Sequence, residues 1–260
     1  MGYINFDEPF MSLVHQGTIL GPDGEKMSKS RGNVVSPDKY VGEFGSDAFR
    51  LYLAFGFSYI EGGPWSDGGI KSISKYIDRV ERLVDRVLAA EKNTKKYGKE
   101  EKELDYALHY AIKTVTKDMA VFQFNTAVAR LMELTNKLYE YTNANGYDTE
   151  VAMSAVQNLV KLLSPFTPHF AEELWEKMGC EYSIFNQEWP VLDESKLVMD
   201  TIEMPFQVNG RVKEKFSVAS DASKDEIEAY VKETFASYFE GKQIVKMIVV
   251  PGRIVNVVLK

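Results

Sequence analysis

Gly24-Glu25-Lys26-Met27-Ser28-Lys29-Ser30-Arg31-Gly32-Asn33 follows closely on the apolar run Leu13 to Leu20 and sets two lysines and two serines between glycines. These residue types suit phosphate. Ammonium groups on mobile stems, small hydroxyl donors and exposed backbone N–H groups can follow a triphosphate as charge moves onto its leaving pyrophosphate. A Lys/Ser-rich turn is also what an ordinary solvated loop looks like, so composition alone leaves both readings open.

The order of the residues narrows the choice. Lys26-Met27-Ser28-Lys29-Ser30 resembles the KMSKS signature of class I aminoacyl-tRNA synthetases. Its flanks resemble those of bacterial leucyl-tRNA synthetases: Glu8-Pro9-Phe10, Leu13-Val14-His15-Gln16-Gly17-Thr18-Ile19-Leu20, Gly32-Asn33-Val34-Val35-Ser36-Pro37, Gly45-Ser46-Asp47-Ala48-Phe49-Arg50-Leu51 and Trp65-Ser66-Asp67-Gly68-Gly69. Isoleucyl, valyl and methionyl enzymes share the loop and some of these flanks, so this region favours leucine and the C-terminus decides. The resemblance implies ATP-dependent activation of leucine, with Lys29 and Lys26 as catalytic cations and Lys26, Met27, Ser28, Lys29 and Ser30 as the ATP-binding loop. ATP would bring its own Mg2+, and no carboxylate constellation in the chain claims a metal. In such enzymes the loop works with a His-x-Gly-His signature, and none of His15, His109 or His169 sits in that pattern. The chain therefore reads as the C-terminal part of a leucine-tRNA ligase, incomplete without an N-terminal catalytic half. A tRNA-binding module without ligase activity is the alternative.

Outward from the loop, Ser36-Pro37-Asp38 opens a helix expected to end near Gly42, and Ser46-Asp47 is expected to cap a second over Ala48 to Phe55. Asp47 and Arg50 read equally as orienting backbone or as a plain i to i+3 surface pair. From Gly69 the period becomes helical, with Ile70, Ile73, Ile77, Val80, Val84 and Val87 on one face. Lys71, Lys75, Arg79, Arg82 and Arg86 lie on other faces, either following RNA or, more commonly for such rows, forming a salt-bridged solvent face. The charged stretch Glu91 to Glu103, broken at Gly98, reads as a connection. Helices are expected over Leu104 to Met119, Asn125 to Tyr141 and Val151 to Leu163. Thr167 with Pro168 caps a further one, in which His169 reads as a satisfied helix-start histidine and Trp175, like Trp189, as core.

After a linker, Glu194 to Thr201, the composition changes. Met204, Phe206 and Val208 alternate, Asn209-Gly210 is a hairpin signal, and Val212, Phe216 and Val218 return. A helix from Ser223 to near Gly241 and a second hairpin through Pro251-Gly252 complete a ββαββ order. Val208-Asn209-Gly210-Arg211-Val212-Lys213 and Val249-Val250-Pro251-Gly252-Arg253-Ile254 resemble the C-terminal domain of leucyl-tRNA synthetases. That likeness makes Arg211, Lys213, Lys215 and Arg253 candidates for contact with tRNA(Leu), and charged strand edges guarding against aggregation are the other reading.

The fold class that follows is multidomain α+β. Residues 1–68 are the loop-bearing tail of a class I Rossmann catalytic domain with a stem-contact region. Residues 69–196 form an α-helical bundle of the anticodon-binding type, and 197–260 a small domain that reaches the tRNA elbow. A net charge of −7 is awkward for a nucleic-acid binder and implies salt-sensitive binding by local patches. The single Cys180 excludes an intramolecular disulfide, and there is neither a long apolar run nor a signal-peptide pattern. These features point to a cytoplasmic chain with no membrane partner.

Overall fold

A computed structural model describes residues 3–198, 201–219 and 222–260, so the expected linker from Glu194 to Thr201 falls partly outside the described residues. The chain divides into two compact units, Met1–Glu194 and Ser195–Lys260.

In the first unit, β1 (Thr18–Leu20) pairs in parallel with β2 (Gly62–Pro64), and between them lie the Lys/Ser loop, α1 (Pro37–Phe44) and α2 (Ser46–Phe55). The two strands meet at glycines because backbone sits against backbone: a Cβ on Gly62 would lie 2.1 Å from the Thr18 carbonyl oxygen. Helix α1 runs past Gly42 and stops at Gly45, whose φ of 85° is a conformation that glycine adopts without strain. Gly45, not Ser46-Asp47, then flanks α2, and both of those residues lie inside the helix. The aromatic residues of α1 and α2 gather on Trp65, and Asp67 ties the group to the next helix by accepting from the Tyr40 hydroxyl (2.6 Å) and Trp65 Nε1 (2.7 Å).

Five more helices follow: α3 (Asp67–Ala89), α4 (Lys99–Ala120), α5 (Phe124–Asn143), α6 (Thr149–Leu163) and α7 (Pro168–Lys177). The expected apolar face of α3 is buried, except that Ile77 is only half-buried, and Tyr76 and Leu83 extend it. Helix α4 begins five residues before the expected Leu104, because Gly98 starts it rather than breaking a connection. The Glu101 carboxylate accepts from the Gly98 N–H (2.8 Å) and from the Tyr141 hydroxyl (3.0 Å), at a site with 0% exposure. Burial pushes its pKa up, but these donors together with its own N–H and nearby Lys95 hold the carboxyl below its ordinary range. Trp175 is buried, as expected. Trp189 is not: its ring is exposed and its Nε1 donates to Thr116 Oγ1 (2.8 Å).

At the turn from α6 into α7, Thr167 is the residue before the helix, yet its hydroxyl donates backwards to the Leu163 carbonyl (3.2 Å) and caps nothing. Asp47 of α2 supplies the cap instead. Its Oδ2 accepts from the Phe170 N–H at 2.6 Å and its Oδ1 lies 3.0 Å from His169 Nδ1. One turn along α2, Arg50 donates to the Pro165 carbonyl (3.1 Å). The two residues therefore orient backbone and do not form a surface pair.

The second unit has four strands in the order β4-β3-β6-β5, with β3 (Thr201–Val208), β4 (Arg211–Ala219), β5 (Ile244–Val250) and β6 (Ile254–Leu259). The two hairpins are antiparallel and join through a parallel β3–β6 pairing. Helix α8 (Lys224–Thr234) ends well short of Gly241, where Phe235 stacks on Phe206 with 4.4 Å between ring centroids. Phe216 and Val218 are buried, whereas Val212 lies beyond a register shift at Phe206/Gln207 and is exposed. Among the described residues no helix is long and apolar enough to cross a membrane.

Removing the cross-chain cap has a defined cost. Asp47→Ala is expected to destabilise the chain by about 1–2 kcal/mol, because it strips an acceptor from a helix N-terminus. Asp47→Asn, which keeps one acceptor oxygen, should lose less. Thermal unfolding of the three proteins checks this, and an unchanged midpoint for the alanine variant would contradict it.

Candidate functional site

The loop between β1 and α1 is organised by Asn33. Its side-chain oxygen accepts from the Ser28 N–H (2.8 Å), and its amide donates to the Asp23 carboxylate (3.0 and 3.1 Å) and to the Lys26 carbonyl (3.3 Å). A single 3-10 turn, Lys29–Arg31, closes at Gly32 with φ of 69°. Met27 packs its side chain on the core of the first unit, and its sulfur lies 3.5 Å from the Val35 N–H. Thus Met27 anchors the loop below while Asn33 laces its two limbs together.

What remains outward is the cationic part. Lys26 and Lys29 are exposed, and neither ammonium has a hydrogen-bond or ion-pair partner among the described residues. Ser28 and Ser30 face each other with their hydroxyl oxygens 2.8 Å apart. The two carboxylates are otherwise engaged, Glu25 with Arg31 (3.1 Å) and Asp23 with Asn33. Hydrogen bonds from the Glu25 N–H and then from Asn33 hold the Asp23 carboxyl below its ordinary pKa. The result is a pinned loop that presents two free cations and two hydroxyls without competing anions, which suits a polyphosphate.

The four basic residues named in the second unit do not share one place. Arg211, Lys213 and Lys215 lie along edge strand β4: Lys215 is on the face opposite buried Phe216 and Val218, but the register shift between Glu214 and Val212 breaks the alternation, so Arg211 does not continue that face. Lys215 is neutralised by Glu203 of β3 at 2.8 Å, whereas Arg211 and Lys213 carry no partner among the described residues. Arg253 sits in the β5–β6 turn. Register places Arg211 opposite Val208, where β3 ends, while Gly252 next to Arg253 approaches Ile202, where β3 begins.

His169 stands at the start of α7 beside Asp47, with its side chain 81% exposed. Among the described residues the basic row of α3 forms no salt-bridged face. Arg79 donates to Asn136 Oδ1 (2.7 Å), Arg86 donates to Asn143, and both guanidiniums lie over the Tyr139 ring. Asn33 is the organising residue that sequence reasoning missed; Asp47 was read as one that could orient backbone, but its partner on α7 was not legible. Asn33 carried a usable signal, since Gly-Asn at the end of a polar loop favours side-chain-to-backbone bonding; the Asp47 contact carried none, because the partner lies more than a hundred residues away.

Comparison with known proteins agrees with this geometry. Residues 3–62 match the family model for tRNA synthetases class I (I, L, M and V), and residues 101–229 match the anticodon-binding domain of tRNA ligase. The chain is thus similar at one end to class I tRNA synthetases and in its helical part to the anticodon-binding domains of tRNA ligases.

Over its whole length, it is similar to the C-terminal part of leucine–tRNA ligases. It is 54% identical to that of Caldanaerobacter subterraneus subsp. tengcongensis and 50% identical to that of Clostridium perfringens, covering 100% of this chain and 32% and 33% of theirs. The chain thus spans about a third of the length of these relatives. A crystal structure of an Agrobacterium radiobacter K84 LeuRS–tRNA–LeuAMS ternary complex superposes with a TM-score of 0.74 at 34% identity, over 100% of this chain and 34% of that one. Mycobacterium tuberculosis methionyl-tRNA synthetase shares the fold, with a TM-score of 0.56 at 18% identity over 64% of this chain and 38% of that one. The match at 3–62 lies in a synthetase family model, which favours part of a ligase over a tRNA-binding module standing alone.

Asn33→Ala should unlace the loop. Tryptic cleavage after Lys26, Lys29 and Arg31 is expected to become several-fold faster, and the Asp23 carboxyl to titrate closer to 3.8. Because folding depresses that pKa, the stability contributed by Asp23 is present above the ordinary value and is lost as pH falls through the lower folded one. NMR titration of Asp23 in both proteins checks the shift, and identical curves would count against the network.

Proposed function

We propose that this chain supplies the pyrophosphate-side loop and the tRNA-binding surfaces of a leucine–tRNA ligase, acting together with the other two thirds of that enzyme. The observation that carries the proposal is the loop itself, where Lys26 and Lys29 stand free of carboxylates on a backbone pinned by Met27 and Asn33. A leucine carboxylate oxygen attacks the α-phosphorus of ATP, the bond from that phosphorus to the bridging oxygen breaks, and pyrophosphate leaves. The terminal ribose hydroxyl of tRNA(Leu) then attacks the leucyl carbonyl and AMP departs.

In the first step Lys29 stabilises charge on the pentavalent phosphorus and the leaving pyrophosphate. Lys26, with the Ser28 and Ser30 hydroxyls, orders the loop around the β- and γ-phosphates. Asp23 and Glu25 are already committed to Asn33 and Arg31, so the loop offers no ligand set for Mg2+, and the ion stays with the nucleotide's own phosphates. The region around α1 and α2 braces the acceptor stem, the helices α3 to α7 form the anticodon-binding-type bundle, and the second unit reaches the tRNA elbow through Arg211, Lys213, Lys215 and Arg253. Of these four, Lys215 contributes least, because Glu203 already occupies it.

In a ligase containing this chain, Lys29→Ala should slow leucine-dependent ATP–pyrophosphate exchange by about a hundredfold, the effect of losing one charge-stabilising donor worth roughly 3 kcal/mol. Loss of less than about threefold would remove Lys29 from this role.

A further inference from the structure

Helix α4 ends in a motif that asks for glycine and is given phenylalanine. The Gln123 N–H donates to the Asp118 carbonyl (2.8 Å) and the Phe122 N–H to the Met119 carbonyl (3.3 Å), and Phe122 sits in the left-handed region with φ of 60°. Such paired bonds close a helix with one left-handed residue just past its end, a place that glycine fills without strain and a bulky side chain does not. The chain uses the ordinary solution at α7. There the Cys180 and Gly179 N–H groups donate to the Trp175 and Glu176 carbonyls in the same pattern, and Gly179 has φ of 71°. Among the described residues other than glycine, only Asn209, in a hairpin turn, shares a positive φ with Phe122. A strained bulky residue persists where its surroundings hold it in place.

The Phe122 ring has such surroundings. It stacks on Tyr59 with 5.2 Å between centroids and the planes 19° apart, and it meets Phe124 edge-on at 5.9 Å. Phe124 also meets Tyr59 edge-on, at 5.2 Å, so each ring touches the other two. Tyr59 belongs to the short turn from Ser58 to Gly62, closed by the Gly62 N–H on the Ser58 carbonyl (2.8 Å). Its own carbonyl accepts from the Gly17 N–H at 2.7 Å, at the root of β1. A Cβ on Gly17 would lie 2.0 Å from the Gly62 nitrogen, so turn and strand are in backbone contact and move as one. The other end of β1 carries the Lys/Ser loop: Leu20 bridges to Lys26, and the Gly21 N–H donates to the Glu25 carbonyl (2.8 Å). Between β1 and the bundle lies a cavity of about 480 Å³, lined by Gln16, Gly17 and Ile19 and by Met119, Phe124 and Phe166. The aromatic bridge therefore spans a place where the packing is open.

We propose that Phe122 is a positioning residue for the Lys/Ser loop. Its strained backbone aims a ring at Tyr59, and through the Tyr59 carbonyl the α4–α5 turn sets where β1, and with it Lys26 and Lys29, stands. The consequence for catalysis rests on the reading of the loop as the pyrophosphate side of a ligase site; the mechanical link does not.

Two readouts keep the link and the ligase reading apart. In the 260-residue chain, Phe122→Gly removes ring and strain together, and tryptic cleavage after Lys26 and Lys29 should become several-fold faster. Phe122→Tyr keeps the stack and should retain the slow rate, whereas Phe122→Leu, apolar but without a ring, should not. Leu108→Ala takes buried bulk from the same helix and should lower the thermal midpoint more than Phe122→Gly, yet leave both cleavage rates within about twofold. In a ligase containing this chain, Phe122→Gly should lower kcat for leucine-dependent ATP–pyrophosphate exchange about tenfold and leave KM for leucine within about twofold, because misplaced cations weaken the transition state. Cleavage unchanged by Phe122→Gly, or raised equally by Leu108→Ala, overturns the proposal. So does exchange that falls with Lys29→Ala but not with Phe122→Gly. Exchange indifferent to both, with cleavage responding as expected, sinks the ligase reading and leaves Phe122 as the residue that places the loop.

Discussion

The carboxylate of Asp47, 8% exposed and held 2.6 Å from the Phe170 amide, is the interaction on which the first unit depends. A helix N-terminus leaves backbone N–H groups without partners, and a buried one must find acceptors. At α7 the local candidate, Thr167, has spent its hydroxyl on the turn before it. The acceptor therefore comes from α2, and Arg50 on the same helix takes a carbonyl from the other side of that corner. A segment that follows the Lys/Ser loop closely in sequence is thereby fastened to the start of α7. The fastening is polar and directional, so it fixes an angle as well as a contact, which apolar packing alone does less well.

Charge is distributed so that an acidic chain can still meet a polyanion. On the helices Lys99, Lys113, Lys137, Lys177, Lys224 and Lys232 hold carboxylates. Cations without a carboxylate partner among the described residues include Lys26 and Lys29 in the loop, the α3 row, and Arg211 with Lys213 on β4. In each, the structure withholds carboxylates by committing nearby acids elsewhere, as Glu25 is to Arg31 and Glu81 to Lys177. Net charge therefore says little about where phosphate can bind, and local pairing says a good deal.

Local signals carried most of the architecture. The 3–4 period of α3, the Pro168 start of α7 and the Asn209-Gly210 turn each encode their element within a few residues, and the structure has all three. The loop was legible as chemistry because its cations and hydroxyls adjoin in sequence. What stayed hidden depends on distant partners. Gly98 reads as a breaker until Glu101 is seen to accept its N–H while Tyr141 reaches that carboxylate from α5. Asp47 reads as a cap for its own helix until α7 is packed beside it, and the α3 arginines read as salt-bridged until Asn136 and Asn143 face them. Trp189 was read as core, whereas its ring is exposed and its Nε1 donates to Thr116.

The central claim is that the loop is half of a nucleotide site completed by the rest of a leucine–tRNA ligase. The most direct measurement is leucine-dependent ATP–pyrophosphate exchange by this chain alone, by the remaining two thirds of such a ligase alone, and by the two combined. The account predicts exchange only in the combination. Exchange by this chain alone, or undiminished exchange by the other part without it, would contradict the account.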